Sequence, residues 1–484
     1  MAIAPTVEPS EPRTRAIITA TDPFTGFPSA GEFQGVAWER LADGSVAHAG
    51  GDPFTVAELI VLGDDLDPAA GVTAAAVDVM DIDLAKGAVW MRPDRRDLFA
   101  RLRAERPVSR QFGVPFIPGS EDIAWWAVTR YDDVQFVSRH ADAFSSGAGG
   151  TNIGDIPPEF AEFLGSIINM DAPRHTKLRR IISAGFTPRH LASVEDSVRD
   201  RARRIVDGLM EKDSCDVVAE ISAPLPLQII CDMMGIPAED EQRMLDLSNI
   251  ILGFSDPEYV TSMAELLSAG GELFQYGLAL AEARLDEPRD DIASALIHAE
   301  VDGERLTPAE LGSFFVLLVA AGNETTRTAI SHGIWALTQF PDQRQLWLSN
   351  IEGHGQTATE EIVRWATPVL HFRRTAMRDL ELGGQQIAEG DRVVMIYESA
   401  NRDADHFDHP DKFDITRATN DQLGFGGGGP HFCLGANLAR REIRVMFEEL
   451  LRRLPDLTVS AEPDLLRSSF IHGIKRMPAT YTPS

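Results

Sequence analysis

One long apolar segment limits the folds open to this chain more than any other feature. The segment from Pro308 to about Phe340 has the periodicity of a helix, and Thr307, Pro308 and Glu310 form the pattern of a capped helix start. At about 1.5 Å per residue, this helix is expected to be about 50 Å long. Its middle, FFVLLVAAG, is apolar on every side, which is typical of a helix that runs through a protein core.

The segments on either side predict a mainly α fold with small β-sheets at its edges. Between about Pro173 and Phe340, apolar residues recur three and four positions apart, as they do in helices. Ile123 to Val128 has the composition of a strand, and after Arg373 the sequence DLELGGQQIAEGDRVVMIY predicts short strands joined by glycine turns. Near the C-terminus, SSFIHGIKRMPATY predicts a further hairpin.

Charge and cysteine content exclude several functions. Lys and Arg number 45 and Asp and Glu number 74, so the formal net charge is −29, and a nucleic-acid backbone would repel the chain. The three cysteines, Cys215, Cys231 and Cys433, do not make a disulfide framework and predict a cytoplasmic location. The strongest apolar run, Phe314 to Ala321, is far shorter than the roughly 20 residues of a membrane-spanning helix. We therefore expect no nucleic-acid partner and no integral membrane segment.

Residues 1–80 differ in composition from the rest of the chain. They hold 12 acidic residues, three arginines and no lysine, among many Gly, Pro and Ala residues. A segment of this composition buries too little apolar surface to fold alone. We predict an acidic, poorly ordered N-terminal extension over 1–80, followed by a folded domain over 81–484.

A glycine-rich loop leads to Cys433 in the sequence LGFGGGGPHFCLGANLARREIRVMFEELLRRL, and an amphipathic helix follows it. The unpaired N–H groups and the dipole of a helix start favour a thiolate, which can bind a metal ion. Glycines allow the loop to wrap closely around the sulfur. The alternative is a buried cysteine beside a glycine turn. A dinucleotide site at Gly424, Gly426 and Gly429 is disfavoured, because the preceding sequence DKFDITRATNDQL is polar and turn-like rather than a strand.

The middle of the long helix contains the polar sequence AGNETT, which ends the apolar run. Gly322 weakens the helix, and the hydroxyl of Thr325 can bond back to a carbonyl, so a local kink or bulge is expected. Glu324 places a carboxyl group in the same apolar setting. The alternative interpretation is a polar stripe that faces another helix.

Two further pairs of charged residues have helical spacing. Glu361 and Arg364 lie one helical turn apart and can pair on one face, although most such pairs are exposed surface pairs. His175 and Arg179 are four residues apart on a predicted helix, so both can reach one anionic group. The alternative for the second pair is also a charged surface.

Together these four motifs resemble the cytochrome P450 family of haem-thiolate monooxygenases, from about Asp81 to the C-terminus. The cysteine loop of that family runs Phe, Gly, x, Gly, x, His, x, Cys, x, Gly. Phe425, His431, Cys433 and Gly435 match it, with one additional residue between the phenylalanine and the cysteine. The longer GGGG loop is similar to that of actinobacterial members that oxidise lipids and sterols. The resemblance implies the P450 fold, mainly α with small β-sheets, in which the long central helix lies over a buried haem.

The resemblance also implies a role for each matched residue. Cys433 would be the axial ligand of the iron of haem b, where thiolate donation favours cleavage of the O–O bond of dioxygen. Glu324 and Thr325 match the family's acid–alcohol pair, which delivers protons. The E-x-x-R pair and the third member of its network would form a buried structural clamp: Glu361, Arg364 and Arg417. The family's haem-binding positions are His175, Arg179, Arg374, Phe425, His431, Cys433 and Gly435.

Arg373 and Arg374 are adjacent, and alternate residues of an extended segment face opposite ways. Only one of the two is therefore expected to reach a haem propionate, and we assign this role to Arg374. The resemblance further implies a substrate pocket lined by Ala321, Val369, Leu370, Phe372, Phe470 and Ile471. These residues are apolar, and an apolar pocket predicts a hydrophobic substrate.

The expected reaction inserts one oxygen atom from O2 into a C–H bond of that substrate. The sequences RVVMIYESANRD and GGGGPHFCLGANLAR are similar to those of the subgroup that hydroxylates methyl-branched lipids, fatty acids and sterol side chains. A small terpenoid is an alternative substrate. Two different functions are also compatible with these motifs: a haem protein that binds a ligand without turnover, and an oxygenase driven by peroxide.

Electrons must come from a separate protein, because no flavin, nicotinamide or iron–sulfur segment accompanies these motifs. The resemblance implies a ferredoxin and a ferredoxin reductase as the donors. Five arginines follow the cysteine and predict a basic surface that attracts an acidic partner. They are Arg440, Arg441, Arg444, Arg452 and Arg453.

Overall fold

The computed structural model describes residues 77–117, 119–155, 166–185 and 188–483, and before them the backbone of five short strands. Fourteen α-helices lie within these described ranges. In chain order they are α1 Gly87–Met91, α2 Arg95–Glu105, α3 Tyr131–Arg139, α4 Arg174–Gly185, α5 Pro188–Asp207, α6 Pro224–Met234, α7 Glu241–Leu252, α8 Met263–Asp286, α9 Ile292–His298, α10 Pro308–Gln339, α11 Pro341–Ser349, α12 Ile351–Ala366, α13 Tyr397–Ala400 and α14 Ala436–Arg453. Single helical turns lie at Val79–Asp81, Ile167–Asn169, Val218–Ser222 and Ala238–Asp240.

The strands are short and form several small sheets. In chain order they are β1 Ile17–Thr21, β2 Pro28–Phe33, β3 Val36–Arg40, β4 Ser45–His48, β5 Phe54–Thr55, β6 Val108–Phe112, β7 Ala124–Val128, β8 Phe144–Ser145, β9 Ser214–Asp216, β10 Glu300–Val301, β11 Glu304–Arg305, β12 His371–Ala376, β13 Leu380–Leu382, β14 Gln385–Ile387, β15 Arg392–Ile396, β16 Thr458–Val459, β17 Asp464–Leu465, β18 Ile474–Arg476 and β19 Pro478–Thr480. Strands β1 to β5 pair in sequence order. Most of residues 1–80 lie outside the described ranges, so the predicted extension and its boundary stay a prediction.

The long central helix forms as the sequence predicts. Thr307 and Glu310 make a reciprocal cap at its start, in which the Glu310 amide donates to Thr307 Oγ1 at 3.2 Å and the Thr307 amide donates to the Glu310 carboxylate at 3.0 Å. The helix then continues to Gln339, with buried residues on every side. It packs against α6, α7, α8, α12 and α14, and so forms the axis of the core. The predicted fold class, mainly α with small sheets, is confirmed.

The helix that follows Cys433 lies directly against this axis. Gly333 of α10 has no side chain where the Phe447 ring of α14 approaches, and a Cβ atom at Gly333 would lie 2.6 Å from that ring. The Phe447 ring also stacks on Trp347, with ring centroids 5.2 Å apart. Close packing of this kind fixes α14, and therefore the cysteine loop at its start, relative to the central helix.

A five-stranded mixed sheet, in the order β6-β7-β15-β12-β8, carries the segment after α12. Strands β12 and β15 are antiparallel, with Arg374 opposite Val393, and β15 is parallel to β7. The sequence predicted β7 and the strands after Arg373.

Within the described ranges, no helix is both long and apolar enough to cross a membrane.

The predicted C-terminal hairpin is wrong. β18 pairs with β17, whereas β19 pairs with β16 and β9. Only Met477 separates β18 from β19, and one residue is too short a connection for a hairpin turn. The Met477 amide instead donates to Asp216 at 3.0 Å, which holds the continuous extended segment against β9.

Candidate active site

Cys433 lies just before α14, where backbone amides converge on its sulfur. The amides of Gly435, the N-cap residue, and Ala436 donate to the thiol. Burial raises the pKa of this thiol, and these amides, together with Arg179 and Arg440, oppose the rise. Protein atoms crowd around the sulfur, yet the residue keeps an exposed side. The sulfur can therefore donate electrons to a group bound at the exposed side of Cys433.

The glycine loop closes on itself and packs against α3. The Cys433 amide donates to the Phe425 carbonyl at 3.0 Å, so the additional residue does not open the loop. Gly429 has a φ of 78°, and a Cβ atom there would lie 2.5 Å from the Ser138 carbonyl oxygen. Ser138 Oγ donates to the Gly428 carbonyl at 2.9 Å. The longer loop is thus accommodated by close contact with α3, which only glycine allows at these positions.

Four cationic or imidazole side chains meet beside this loop. They come from α4, β12 and the loop itself, and they are His175, Arg179, Arg374 and His431. The rings of His175 and His431 lie 4.1 Å apart, centroid to centroid. Burial, followed by the charges of Arg374 and His175, lowers the pKa of His431 to about 3. The structure therefore brings together four predicted propionate-binding residues from three separate segments.

Within the described residues, no carboxylate forms an ion pair with these four side chains. Arg374 is buried, its guanidinium donates to the Arg373 carbonyl at 2.8 Å, and it forms no ion pair within the described ranges. His175 Nε2 is buried and has no hydrogen-bond partner in the part of the chain that the structure describes. Asp171 lies nearby, but its carboxylate accepts from the amides of Ser146 and Gly147, at 2.9 and 3.2 Å. A group that carries two carboxylates, as haem does, fits this donor set.

Arg373 faces the other way, as alternation along β12 requires. Its Nη1 donates to Asp155 at 2.7 Å and to the Ile153 carbonyl at 3.2 Å. It is therefore occupied with protein partners, in contrast to Arg374.

Glu361 and Arg364 form a fully buried pair, and not the exposed surface pair that their spacing alone favours. Two parallel hydrogen bonds of 2.8 Å join the guanidinium to the carboxylate. Arg364 Nη1 also donates to the carbonyls of Asn401 and Pro410. Arg417 Nε donates to Glu361 at 3.2 Å, as the family's network implies. The clamp thus fixes α12 against the loop before the cysteine segment.

The AGNETT segment stays α-helical throughout, so the expected bulge is not present. Thr325 Oγ1 donates to the Ala321 carbonyl at 2.6 Å, as the sequence suggested. Glu324 is buried and forms an ion pair with Arg327, one turn further along α10. Sequence reasoning missed Arg327, although a cation three residues after an acid in an apolar helix was a usable signal.

The two segments of the predicted pocket lie side by side. The Leu370 amide donates to the Phe470 carbonyl at 2.8 Å, and the rings of Phe372 and Phe470 are 5.6 Å apart. Val369 forms an isolated bridge with Ile471, while Ala321 of α10 keeps an exposed side despite its place in the core. Leu370 belongs to a core cluster with Trp90 and Phe99, so its place in the pocket stays a prediction.

The arginines after the cysteine do not form the predicted basic surface. Each lies within 4.0 Å of a carboxylate, in the pairs Arg440–Glu360, Arg441–Glu195, Arg444–Glu448, Arg452–Glu352 and Arg453–Asp207. Most of these acids come from α5 and α12, which are distant in sequence. The fold therefore neutralises a positive charge that the local sequence alone suggested.

Comparison with known proteins identifies the family. Residues 356–469, which include the clamp and Cys433, match the model of the family described as Cytochrome P450. The methyl-branched lipid omega-hydroxylase of Mycobacterium tuberculosis is 50% identical over 420 residues, which cover 85% of this chain and 97% of that protein. This chain belongs to the cytochrome P450 family. The enzyme is therefore a haem-dependent monooxygenase, as the motifs predicted.

Two further relatives extend the comparison of this P450 to another activity and to a solved structure. The steroid C26-monooxygenase of Rhodococcus jostii is 44% identical over 387 residues, covering 79% of this chain and 81% of that protein. A Mycobacterium marinum cytochrome P450, solved in complex with pseudoionone, is 45% identical with a TM-score of 0.78, over 82% of this chain and 98% of that one. The cofactor of this family is haem with an axial cysteine.

Proposed function

We propose that this P450 hydroxylates a methyl-branched lipid or a sterol side chain at or near a terminal methyl group. The observation that carries the proposal is the 50% identity, over 85% of the chain, to a methyl-branched lipid omega-hydroxylase. The 44% identity to a steroid C26-monooxygenase supports the same class of long, branched, apolar substrates.

In this proposal Cys433 would hold the haem by binding its iron through the sulfur. The amides of Gly435 and Ala436 moderate the charge on its sulfur, and Phe425 closes the loop around it. His175, Arg179, Arg374 and His431 would hold the two propionates, because these side chains leave positive charge and an unpartnered ring nitrogen in a buried place. When bound, the haem supplies the activation of O2 and the insertion of one oxygen atom.

The chain's own residues then position the substrate and supply protons. The pocket walls near Val369, Phe372 and Phe470 exclude water and bind the apolar chain through buried surface. A terminal methyl C–H bond is stronger than an internal one, so attack at the chain end requires that pocket shape, and not intrinsic reactivity, selects the carbon. The Thr325 hydroxyl and the Glu324 carboxyl group would relay the protons that the reaction consumes.

A terpenoid hydroxylase is the second candidate. The Mycobacterium marinum relative that holds pseudoionone, a small terpenoid ketone, is 45% identical to this chain. Both candidates use the same haem chemistry and differ only in the length of the pocket.

We assign a ferredoxin and its reductase as electron donors, with the enzyme in the cytoplasm. Phe432 is 37% exposed immediately before Cys433, and its ring offers an apolar contact beside the cysteine loop. Arg139 is exposed beside the same loop and forms no ion pair with a described residue. Its guanidinium is a cation at this surface to which an acidic donor can bind.

The test is an optical titration of the purified ferric enzyme. Methyl-branched lipids, a sterol ketone and a small terpenoid alcohol are added separately, and the low-spin to high-spin shift of the haem is followed. A saturable shift with the long ligands alone supports the proposal. A shift with the terpenoid alone favours the second candidate, and a haem spectrum that responds to none of them contradicts both.

A further inference from the structure

Buried histidines hold the backbone of segment 468–473, which connects β17 to β18. His371 of β12 lies with its Nδ1 2.9 Å from the Ser469 carbonyl oxygen. His332 of α10 lies with its Nε2 2.8 Å from the His472 carbonyl oxygen. Because a carbonyl oxygen can only accept a hydrogen bond, each of these two ring nitrogens carries a proton and donates it.

A third imidazole, that of His472, belongs to the segment itself. Its Nδ1 is 2.6 Å from the carbonyl oxygen of Ala366, the last residue of α12, and its Nε2 is 2.5 Å from Nη2 of Arg95. A guanidinium can only donate, so Nε2 accepts and the proton lies on Nδ1. The same guanidinium forms a buried ion pair with Glu398 at 3.0 Å. Both ring nitrogens of His472 are therefore in use, and the ring joins the segment to α2 and α12.

The three rings are neutral near pH 7, as this bonding requires. Burial lowers the pKa of His332 to about 3 and that of His371 to about 4. Burial also lowers the pKa of His472. A neutral ring avoids the cost of an unpaired buried charge. The three histidines therefore act as fixed hydrogen-bond donors.

The segment held in this way carries one wall of the proposed pocket. The amides of Phe470 and Ile471 both donate to Ser468 Oγ at 3.0 Å, so the chain turns tightly here. The half-buried Phe470 ring makes edge contacts with the rings of His371 and Phe372, each at 5.6 Å between centroids. Besides its backbone hydrogen bonds to residues 368–370, the segment depends on the imidazole donors for its position.

The central helix links this wall to the acid–alcohol pair. A Cβ atom at Gly473 would lie 3.3 Å from Glu324 Oε1, so the end of the segment touches α10 beside the acid. His332 holds the segment from a position about two helical turns further along α10. One rigid helix therefore carries the proposed proton-delivery residues and also fixes the wall that contains Phe470.

We propose that His332, His371 and His472 are positioning residues that determine which carbon of the substrate is attacked. This inference rests on the proposed lipid hydroxylation. The imidazoles keep the backbone of the segment, and with it Phe470, in one place, so the pocket presents a fixed shape to the end of the chain. When a donor is lost, a buried carbonyl oxygen loses its partner and the segment opens more often. The substrate can then slide, and internal carbons reach the reacting centre.

Amide hydrogen exchange of the purified holoenzyme, followed by mass spectrometry of peptides that cover 466–473, measures how often the segment opens. His371→Leu removes the donor and nearly conserves the volume, so exchange should become about tenfold faster. His371→Asn keeps an N–H group near the position of Nδ1 and should restore slow exchange. His298→Leu is the matched control, because it removes an exposed imidazole that lies 2.9 Å from the Arg284 carbonyl oxygen. Equal exchange in His371→Leu and in the control would overturn the proposal.

A second pair of variants tests the donor from α10. His332→Leu should accelerate exchange in the same peptides, and His332→Gln should restore it, because the glutamine amide reaches the position of Nε2. Fast exchange in both variants would show that volume, and not the hydrogen bond, is responsible, and would contradict the role of this donor.

The position of attack is measured as the ratio of terminal to internal alcohols formed from a methyl-branched fatty acid. This ratio should fall about tenfold in His371→Leu and recover in His371→Asn. A merely structural role would lower total turnover and leave the ratio unchanged, and that result would overturn the proposal. If the parent enzyme hydroxylates the terpenoid alcohol and not the lipid, the lipid proposal fails. The ratio of the terpenoid's isomeric products in the same variants then decides the role of the histidines.

Discussion

The imidazole rings of His175 and His431 lie 4.1 Å apart, in a buried cluster that also holds Arg374. Burial and the neighbouring arginine charges lower the pKa of both rings, so both are neutral near pH 7 and the arginines carry the positive charge. An anion bound here is therefore attracted mainly by guanidinium groups, and the histidines act as hydrogen-bond donors.

Replacement of Arg374 should weaken haem retention. In Arg374→Gln the haem loses a charge-assisted hydrogen bond, for which about 1.5–3 kcal/mol is typical, so we expect haem loss to become about tenfold or more faster. The rate is measured by transfer of haem to a scavenging protein. Arg378→Gln, at an exposed ion pair with Asp142, is the matched control and should leave the rate unchanged. Equal rates in the two variants would refute the assignment of Arg374.

Buried histidines should make the fold sensitive to acid. Burial lowers the pKa of His332 to about 3 and that of His371 to about 4. The unfolded chain binds protons at these residues below about pH 6.5 and the folded chain does not, so the free energy of unfolding should fall as pH decreases below that value. Each residue should cost about 1.4 kcal/mol between about pH 7.5 and about pH 5.5.

Urea unfolding at the two pH values measures this loss. His332→Gln should reduce the loss by about 1.4 kcal/mol, because glutamine does not titrate. His140→Gln, at an exposed position, is the control and should not change it. A loss that is the same in the parent and in His332→Gln would contradict the expectation.

The Glu361–Arg364 clamp should be far more important for stability than a surface pair. Glu361→Gln leaves a buried guanidinium without its counter-charge, and such changes cost about 3–5 kcal/mol. Thermal unfolding should show a much lower midpoint for this variant. Glu352→Gln removes the partner of Arg452 at an exposed position and should change stability by about 0.5 kcal/mol or less. Similar midpoints for the two variants would be inconsistent with a buried clamp.

Gly429→Ala should disturb ligation by the cysteine. The added Cβ atom meets the Ser138 carbonyl at 2.5 Å, at a residue with a φ of 78°. Gly384→Ala is a close control, because Gly384 has a φ of 77° and nothing within 4 Å of the added atom. Both variants carry a backbone strain of about 1–2 kcal/mol, but only the first should reduce the fraction of thiolate-bound haem in the spectrum of the ferrous carbon monoxide complex. An equal reduction in both would show that strain, and not the contact with α3, is responsible.

The sequence predicted features that depend on local pattern. The capped central helix, the helix after Cys433 and the strands after Arg373 follow from periodicity and turn residues, and all three are present. The family resemblance added long-range information: it grouped His175, Arg374 and His431, which spacing alone does not connect. The structure brings these residues together.

The features that the sequence did not predict depend on contacts between distant segments of the chain. In the sequence, the arginines of α14 suggest a basic surface. The fold places acids of α5 and α12 beside them. The partner of β18 is β17 rather than its neighbour β19, because the pairing is set by tertiary contacts and not by a turn signal. Arg327 had a local signal, but its contact with Asn249 did not.

The neutralised arginines of α14 have a consequence for how an electron donor arrives. At distances larger than the few ångströms within each pair, the paired charges cancel, and an approaching protein experiences the net charge of the chain, screened over a Debye length of about 8 Å at physiological ionic strength. With a formal net charge of −29, the chain repels an acidic donor. Added salt should then accelerate the encounter, the reverse of the behaviour of complexes that form by charge attraction. In the proposed complex, contact at Phe432 and Arg139 would act only at short range, so we expect the complex to be brief.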